Sequence, residues 1–191
     1  MHLAIDKYGG WVISDRYGSY NYFPFEKRQI CWSHLLRDYE RFAHSLDIDL
    51  SKQGQRLVSI GREVFVLVDA YKNEKISQNM LNRRVCKLSK EMQWIFKTII
   101  KLPTRPKAQG VAKKLLSSFG MMWRFLEESF IEMTNNLAER QIRKYVTYRK
   151  KLLFTWSSWG NEYVERMLSM YLTCRLRKTD SFSQLKQAIL A

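Results

Sequence analysis

The 191-residue sequence predicts a mainly α-helical protein with a minor β component. Its 8 glycines and 3 prolines allow few turns, which excludes a barrel or sandwich of many short strands. Apolar residues recur at three- and four-residue spacing along most of the chain, as in amphipathic helices. Hydrophobic residues make up 46% of the sequence, which is enough to bury a core and excludes a disordered chain.

The first predicted element is a short strand. Residues 11–14 are mostly apolar, follow the pair Gly9-Gly10, and are followed by Asp15. A carboxylate at the C-terminal end of a strand is where open α/β sheets place their chemistry. The alternative, which the local sequence favours, is a turn in which Asp15 accepts a hydrogen bond from its own backbone.

Apolar periodicity predicts the helices. They run from Cys31 to His44, from Gln55 to Tyr71, from Leu81 to Ile99, from Lys107 to about Glu127, onward from Asn136, and from Asn161 to about Arg177. The third must end before Pro103, and residues 104–106 form a connector. Residues 130–133 are expected to form a short strand, and residues 154–160 an irregular segment.

The charge is strongly positive and uneven. The formal net charge is +15, and residues 97–151 contain thirteen basic and four acidic side chains. Such a surplus indicates a polyanionic partner, most often nucleic acid. Six cations follow Glu139 with no further acid before residue 162: Arg140, Arg143, Lys144, Arg149, Lys150 and Lys151. They are the predicted DNA-binding residues, although most such runs are solvated faces.

Two sequence features bear on the cellular location. The first twenty residues contain no apolar signal segment, and the longest purely apolar run, Val64–Val68, is far too short for a membrane helix. Three isolated cysteines give no disulfide framework. A reduced, cytoplasmic protein without a membrane segment is therefore expected.

Glu139 has two possible roles. Asn136 as N-cap and Glu139 three residues later would form a reciprocal capping box, which explains both residues structurally. The cations that follow Glu139 would instead place its carboxylate beside phosphates if this surface binds nucleic acid.

Cys31 and His34 have the spacing of half a zinc site, with Asp38 on the same predicted helix face. No second pair has matching spacing, so packing or hydrogen bonding near a sheet edge is preferred over metal binding. Two aromatic groups could stack on bases. For Tyr17, Tyr20, Tyr22, Phe23 and Phe25 core packing is expected, whereas for Trp156 and Trp159, placed in a loop, both roles stay open.

Taken together, four segments resemble a known family. Residues 15–21 and 31–38 resemble the second-aspartate region of bacterial DDE transposases of the group named for insertion sequence sixty-six. Residues 135–143 resemble the glutamate motif of that group, and residues 149–154 with Ser157 resemble its next block. The similarity runs nearly from end to end of the chain.

The resemblance implies the C-terminal part of an RNase H-like α/β catalytic core with a helical insertion. Asp15 would be the second aspartate and Glu139 the glutamate of a site that holds two divalent ions, Mg²⁺ or Mn²⁺, and cuts and rejoins DNA. The implied partners are the insertion-sequence ends, the target DNA and other transposase subunits. The resemblance divides the catalytic region into three parts. Residues 1–45 form the second-aspartate strand and the following helix, residues 46–130 form the helical insertion, and residues 131–191 form the glutamate helix and the C-terminal basic, helical part.

The family's first aspartate lies several tens of residues upstream of the second, whereas fourteen residues precede Asp15 here, with Asp6 as their single acid. The sequence therefore resembles a transposase truncated at the N-terminus, with an incomplete sheet, and is expected to be inactive alone. The alternatives are a non-catalytic basic, helical DNA-binding or regulatory protein and a metal nuclease of the same fold.

Overall fold

The computed structural model describes residues 8–103, 106–151 and 157–190, except for the side chains of Lys144, Tyr148 and Arg149. The chain divides into two compact units, Met1–Asn135 and Asn136–Ala191. Most of the described residues are helical and one small sheet is present, which confirms the predicted mainly α class with minor β. Within the described residues, no helix combines the length and apolar character needed to cross a membrane.

In its described residues, the first unit contains two strands and four α-helices, joined in part by short 3₁₀ turns. They are β1 (Val12–Ser14), β2 (Arg28–Ile30), α1 (Trp32–Ala43), α2 (Ile48–Lys72), α3 (Gln78–Ile100) and α4 (Pro106–Ser117). The 3₁₀ turns are Gly18–Tyr20, Phe25–Lys27, Phe119–Met122 and Arg124–Leu126. The second unit contains α5 (Asn136–Lys151), α6 (Ser158–Arg177) and α7 (Ser181–Leu190).

The sheet consists of β1 and β2, which run parallel with Val12 opposite Arg28 and Ser14 opposite Ile30. Asp15 follows the last residue of β1, as predicted, and Cys31 follows the last residue of β2. Because the C-terminal ends of parallel strands lie at the same edge of a sheet, Asp15 and Cys31 emerge side by side. All three residues of β2 are buried, and this strand was not predicted.

The three long helices predicted for the first half of the chain are confirmed, although α3 begins three residues earlier than predicted, at Gln78. Cys31 and His44 flank α1, and α3 ends before Pro103. However, α2 begins seven residues earlier than predicted, at Ile48. The reason is the N-cap Asp47, whose carboxylate accepts hydrogen bonds from the amides of Asp49 and Leu50, each at 3.0 Å.

Two predictions for residues 107–133 are wrong. The helix α4 ends at Ser117, ten residues before the predicted end. The hydroxyls of Ser117 and Ser118 donate to the carbonyl oxygen of Lys114 at 3.0 and 2.7 Å, and the chain continues in 3₁₀ turns that bury Met122 and Phe125. Residues 130–133 form a turn and an irregular segment instead of a strand, because the partner of Met133 is the amide of Trp32 rather than a neighbouring strand.

In the second unit, α5 begins at the predicted position, whereas α6 begins at Ser158, three residues earlier than predicted. Its N-cap is Ser157, whose hydroxyl accepts a hydrogen bond from the amide of Gly160 at 2.9 Å. Trp159 is therefore in the first turn of a helix and not in a loop. Trp156 and the rest of the segment 152–156 lie outside the described residues. The last helix, α7, was not predicted.

The core of the first unit forms where α1–α4 pack together. Its fully buried members include Trp32, Leu35, Tyr39, Leu57, Ile60, Met92, Ile95, Phe96, Ile99 and Leu115. The helices α1 and α2 approach closely at Gly54, where a Cβ atom would lie 2.2 Å from the backbone nitrogen of Ala43. Because the contacted atoms belong to the backbone of α1, they cannot move aside as the end of a flexible side chain can. This helix crossing therefore requires glycine at position 54.

We expect Gly54→Ala to lower the free energy of unfolding by about 1–3 kcal/mol, because the added methyl overpacks two helix backbones. Gly110 is a matched control, since it lies inside α4 and a Cβ there meets nothing within 4 Å. Gly110→Ala should raise the stability by about 0.5–1 kcal/mol through helix propensity. Urea unfolding followed by far-UV circular dichroism measures both, and equal changes in the two variants would contradict the close crossing.

Candidate functional site

Asp15 lies half-buried at the end of β1. Its Oδ1 accepts a hydrogen bond from the amide of Tyr17 at 2.9 Å, which confirms the turn expected from the local sequence. Its Oδ2 has no hydrogen-bond partner among the described residues. The turn thus occupies one carboxylate oxygen, and the other can serve as a ligand for a cation or a proton acceptor.

A cavity of about 240 Å³ lies beside Asp15. Its lining residues are Asp15, Arg16, Tyr17, His34, Arg37, Asp38 and Arg41. Residues 34, 37, 38 and 41 share one face of α1, because they are three, four and seven positions apart. His34 of the Cys31–His34 pair therefore lines the same cavity as Asp15, together with two exposed arginines.

Asp38 is unlike Asp15, because both of its carboxylate oxygens are paired. Oδ2 accepts from the guanidinium of Arg16, and Oδ1 accepts from Arg41 at 3.0 Å. The Asp38 side chain is only 13% exposed, so these ion pairs are partly shielded from water. Asp38 therefore orients Arg16 and Arg41 at the cavity wall and is a poor candidate for a metal ligand.

Cys31 connects three segments of the first unit. Its amide donates to the carbonyl oxygen of Ser14 at 2.8 Å, and its buried Sγ accepts from the amide of Asn135 at 3.5 Å. The next amide, of Trp32, donates to the carbonyl oxygen of Met133 at 2.9 Å. The thiol is thus packed and hydrogen-bonded. Among the described residues, no group of three or more His, Cys, Asp or Glu side chains is arranged to hold a metal ion.

Glu139 lies half-buried in the first turn of α5, in the second unit. Of the six predicted DNA-binding cations, Arg140, Arg143, Lys150 and Lys151 are exposed on α5. Arg140, Arg143 and Lys151 share one face, because they are separated by three, eight and eleven positions. The side chains of Lys144 and Arg149 lie outside those that the structure describes.

The aromatic residues between β1 and β2 are not in the core, contrary to expectation. Tyr17, Tyr20, Tyr22 and Phe25 are exposed, and Phe23 is half-buried. The reason is that the link between the strands crosses the surface in two 3₁₀ turns with no buried residue. In the second unit, Trp159 is 74% exposed and stacks on Tyr163 with ring centroids 5.7 Å apart.

Sequence reasoning missed two buried polar residues on β2, Arg28 and Gln29. The side-chain amide of Gln29 donates to the carbonyl oxygens of Ile30 and Met122, at 2.7 and 3.0 Å, and its Oε1 accepts from the amide of Phe125 at 3.0 Å. Met122 and Phe125 are 93 and 96 positions away in sequence. No local pattern could have indicated them, because a polar residue in a short segment normally predicts exposure.

We expect Gln29→Leu to lower the free energy of unfolding by about 2–3 kcal/mol, because the buried Phe125 amide would lose its acceptor. Gln55→Leu is the control: Gln55 is exposed on α2, and its substitution should change stability by less than about 0.5 kcal/mol. Chemical denaturation of both variants checks this. A Gln29→Leu variant as stable as Gln55→Leu would show that β2 is not held by these bonds.

Comparison with protein families gives one match. The sequence model described as "Transposase IS66 family" matches residues 1–163. The matched range contains Asp15, the Cys31–His34 pair, Glu139 and the cations of α5. Neither the comparison with curated proteins nor that with solved structures gives a significant match.

Proposed function

Because this chain belongs to the IS66 family of transposases, we propose that its residues contribute to a site that cuts and rejoins DNA phosphodiester bonds with two divalent ions. Family membership implies a transposase-related function and interaction with DNA. The proposal adds the roles of Asp15 and Glu139 as metal-binding, catalytic carboxylates and the DNA-binding role of the α5 cations.

The single observation that carries the proposal is the position of Cys31. Its amide is bonded to Ser14, which directly precedes Asp15, and its Sγ accepts from Asn135, which lies four positions before Glu139. Within the first unit, Cys31 thus joins the residue that precedes Asp15 to the residue that precedes α5, the helix that carries Glu139. This contact supports the proposal that Asp15 and Glu139 serve the same site.

The residues of the first unit fit a divalent cation at Asp15 but not at Asp38. Asp15 keeps an unbonded oxygen, whereas Asp38 is neutralised by two arginines. Mg²⁺ and Mn²⁺ prefer such oxygen ligands, and we assign Asp15 and Glu139 to hold them. When bound, these ions would stabilise charge on the attacking and leaving oxygens of the phosphodiester.

The proposed scaffold is the C-terminal part of an RNase H-like core. The parallel β1–β2 pair with a carboxylate at its C-terminal edge supports this, because α/β sheets place their sites at that edge. The helices α2–α4 lie within the proposed insertion, residues 46–130. The cysteines are free thiols, which is compatible with the cytoplasmic location expected of the protein.

DNA binding is assigned to the exposed cationic face of α5. Lys and Arg side chains bind duplex DNA mainly through backbone phosphates, so binding is salt-dependent and tolerant of sequence. Arg140, Arg143 and Lys151 are on one face, which allows them to contact phosphates together. None of the three forms an ion pair with another described residue, so their charge is available to a polyanion.

We expect the variant Arg140→Gln/Arg143→Gln/Lys151→Gln to bind duplex DNA more weakly for all sequences alike. The slope of log K against log salt should fall in magnitude by about 2.7, from roughly 0.9 for each phosphate contact. Fluorescence anisotropy of a labelled duplex at several salt concentrations measures this.

The control for that experiment is Arg83→Gln/Lys87→Gln/Lys90→Gln, which removes the same charge from an exposed face of α3. It should leave the slope unchanged. Equal effects of the two triple variants would show that the binding follows net charge and not the α5 surface.

A second prediction concerns the shared ion. We expect Asp15→Asn and Glu139→Gln each to weaken Mn²⁺ binding by at least about tenfold, since the affinity of such sites depends on the number of charged ligands. If both residues ligate one ion, the double variant should bind Mn²⁺ more weakly than either single variant, because the ion then loses both charged ligands. Electron paramagnetic resonance of free Mn²⁺ measures the affinities, and Asp49→Asn, an exposed residue of α2, is the control.

The same samples test catalysis with supercoiled plasmid and Mn²⁺. Residues 1–191 supply two of the three carboxylates that the family resemblance implies, so this polypeptide by itself should not nick the plasmid. Nicking that disappears in the Asp15→Asn and Glu139→Gln variants would overturn the expected inactivity and support the site. DNA binding with no effect of either carboxylate on Mn²⁺ would favour the alternative, a regulatory DNA-binding protein.

A further inference from the structure

A second cavity, which the proposed carboxylate site does not include, lies between β2, the link that follows β1, and the end of α4. Its volume is about 390 Å³. The polar residues that line it are Arg16, Asn21, Arg28, Lys114, Ser117 and Ser118. None of its described lining residues is acidic, in contrast to the cavity beside Asp15. We call it the Arg28 pocket.

The central feature of the Arg28 pocket is a buried cation. Arg28 is only 4% exposed. Its Nη1 donates to Oδ1 of Asn21 at 3.2 Å, and its Nε is buried without a hydrogen-bond partner among the described residues. A guanidinium has five N–H donors and stays charged in proteins, so a single neutral acceptor leaves most of its hydrogen-bonding capacity unused and does not neutralise its charge.

The electrostatic surroundings of Arg28 show the same imbalance. Burial lowers the pKa of Arg28 from its ordinary value, and the nearby carboxylate of Asp15 opposes this effect without making a hydrogen bond to the guanidinium. A buried charge of this kind is costly unless it is both paired and hydrogen-bonded. An anion in the pocket would supply a counter-charge that also accepts hydrogen bonds from the guanidinium.

Two further cations line the pocket. Arg16 shares its charge with Asp38, but Lys114 is exposed in the last turn of α4 and forms no ion pair with a described residue. The C-terminal end of α4 carries a partial negative charge of about half a unit, which the full charges of Lys114 and Arg28 exceed. The hydroxyls of Ser117 and Ser118 already donate to the Lys114 carbonyl oxygen. The groups that remain to contact an anion are the guanidinium of Arg28 and the ammonium of Lys114.

We propose that the Arg28 pocket binds a phosphate group, held by Arg28 and Lys114, and that this is a backbone phosphate of DNA next to the Asp15 edge of the sheet. Planar guanidinium groups match the several acceptor oxygens of a phosphate. The exposed ring of Phe25 lines the same pocket and offers an apolar surface to an adjoining sugar or base. The inference rests on the proposed function for the source of the phosphate, and a free phosphate-bearing molecule is the other source of the same chemistry.

The test compares two neighbouring lysines of one helix. Lys114 lines the pocket, whereas Lys113, equally charged and exposed on α4, does not. We expect Lys114→Gln to weaken duplex DNA binding about tenfold near 0.1 M salt and to lower the salt slope by about 0.9, the effect of one lost phosphate contact. Lys113→Gln should leave both unchanged. Both sites are exposed, so neither variant should disturb folding.

A second measurement uses inorganic phosphate with the full chain. In nitrogen-15 NMR spectra, the Nε–Hε signal of Arg28, assigned by its loss in Arg28→Lys, should shift on titration with phosphate in wild-type protein and shift less in Lys114→Gln. A phosphate-induced shift with equal DNA affinities for Lys113→Gln and Lys114→Gln would support the pocket but replace DNA by a free phosphate-bearing molecule.

Absence of the shift together with equal DNA affinities of the two lysine variants would overturn the proposal. Equal weakening by both lysine variants without a shift would overturn it as well, because a diffuse positive field explains that result. The triple variant of α5 distinguishes failure of the pocket proposal from failure of the proposed function. If DNA binding depends on the α5 cations but not on Lys114, the pocket proposal is wrong and the proposed function still holds.

Discussion

The first unit depends on the burial of four consecutive residues, Gln29–Trp32, whose polar groups bond to segments far away in the sequence. The amide of Cys31 bonds to Ser14, that of Trp32 to Met133, and the side chain of Gln29 to Met122 and Phe125. A buried polar group without a partner costs about 1–3 kcal/mol, so each of these bonds restricts where its segment can lie. Side-chain contacts and contacts to turns thereby hold β2 in place, because β1 is its only neighbouring strand among the described residues.

Trp32 extends this constraint into the helices. Its ring is fully buried, its Nε1 donates to the Met122 carbonyl oxygen at 2.7 Å, and its edge contacts Trp123 with ring centroids 4.9 Å apart. Since Trp32 is the first residue of α1, the start of that helix is held against the turns that follow α4. The orientation of α1 then brings His34 and the arginines of the same face to the cavity beside Asp15.

The charged groups at the Asp15 edge of the sheet are of two kinds, those that are paired with each other and those that keep unpaired polar atoms. Both carboxylate oxygens of Asp38 are paired, one with Arg16 and one with Arg41. Asp15 keeps an unbonded oxygen, and Arg28 is buried with one neutral partner. Asp15 and Arg28 thus each keep polar atoms without hydrogen-bond partners among the described residues. Such positions are expected where a protein binds a ligand, because strain and unmatched polar groups persist where they serve function.

The sequence by itself determined the long helices, the position of Asp15 after a strand, and the family, because helical periodicity and short motifs depend on residues close along the chain. It did not reveal β2, the early end of α4, the irregular segment 130–133 or the exposure of the link aromatics. Only the tertiary structure decided these, since β2 and its buried Gln29 gain their stability from partners more than 90 positions away. The same reason applies to Arg28: local sequence shows a basic residue, and packing alone makes it a buried cation that lines a cavity.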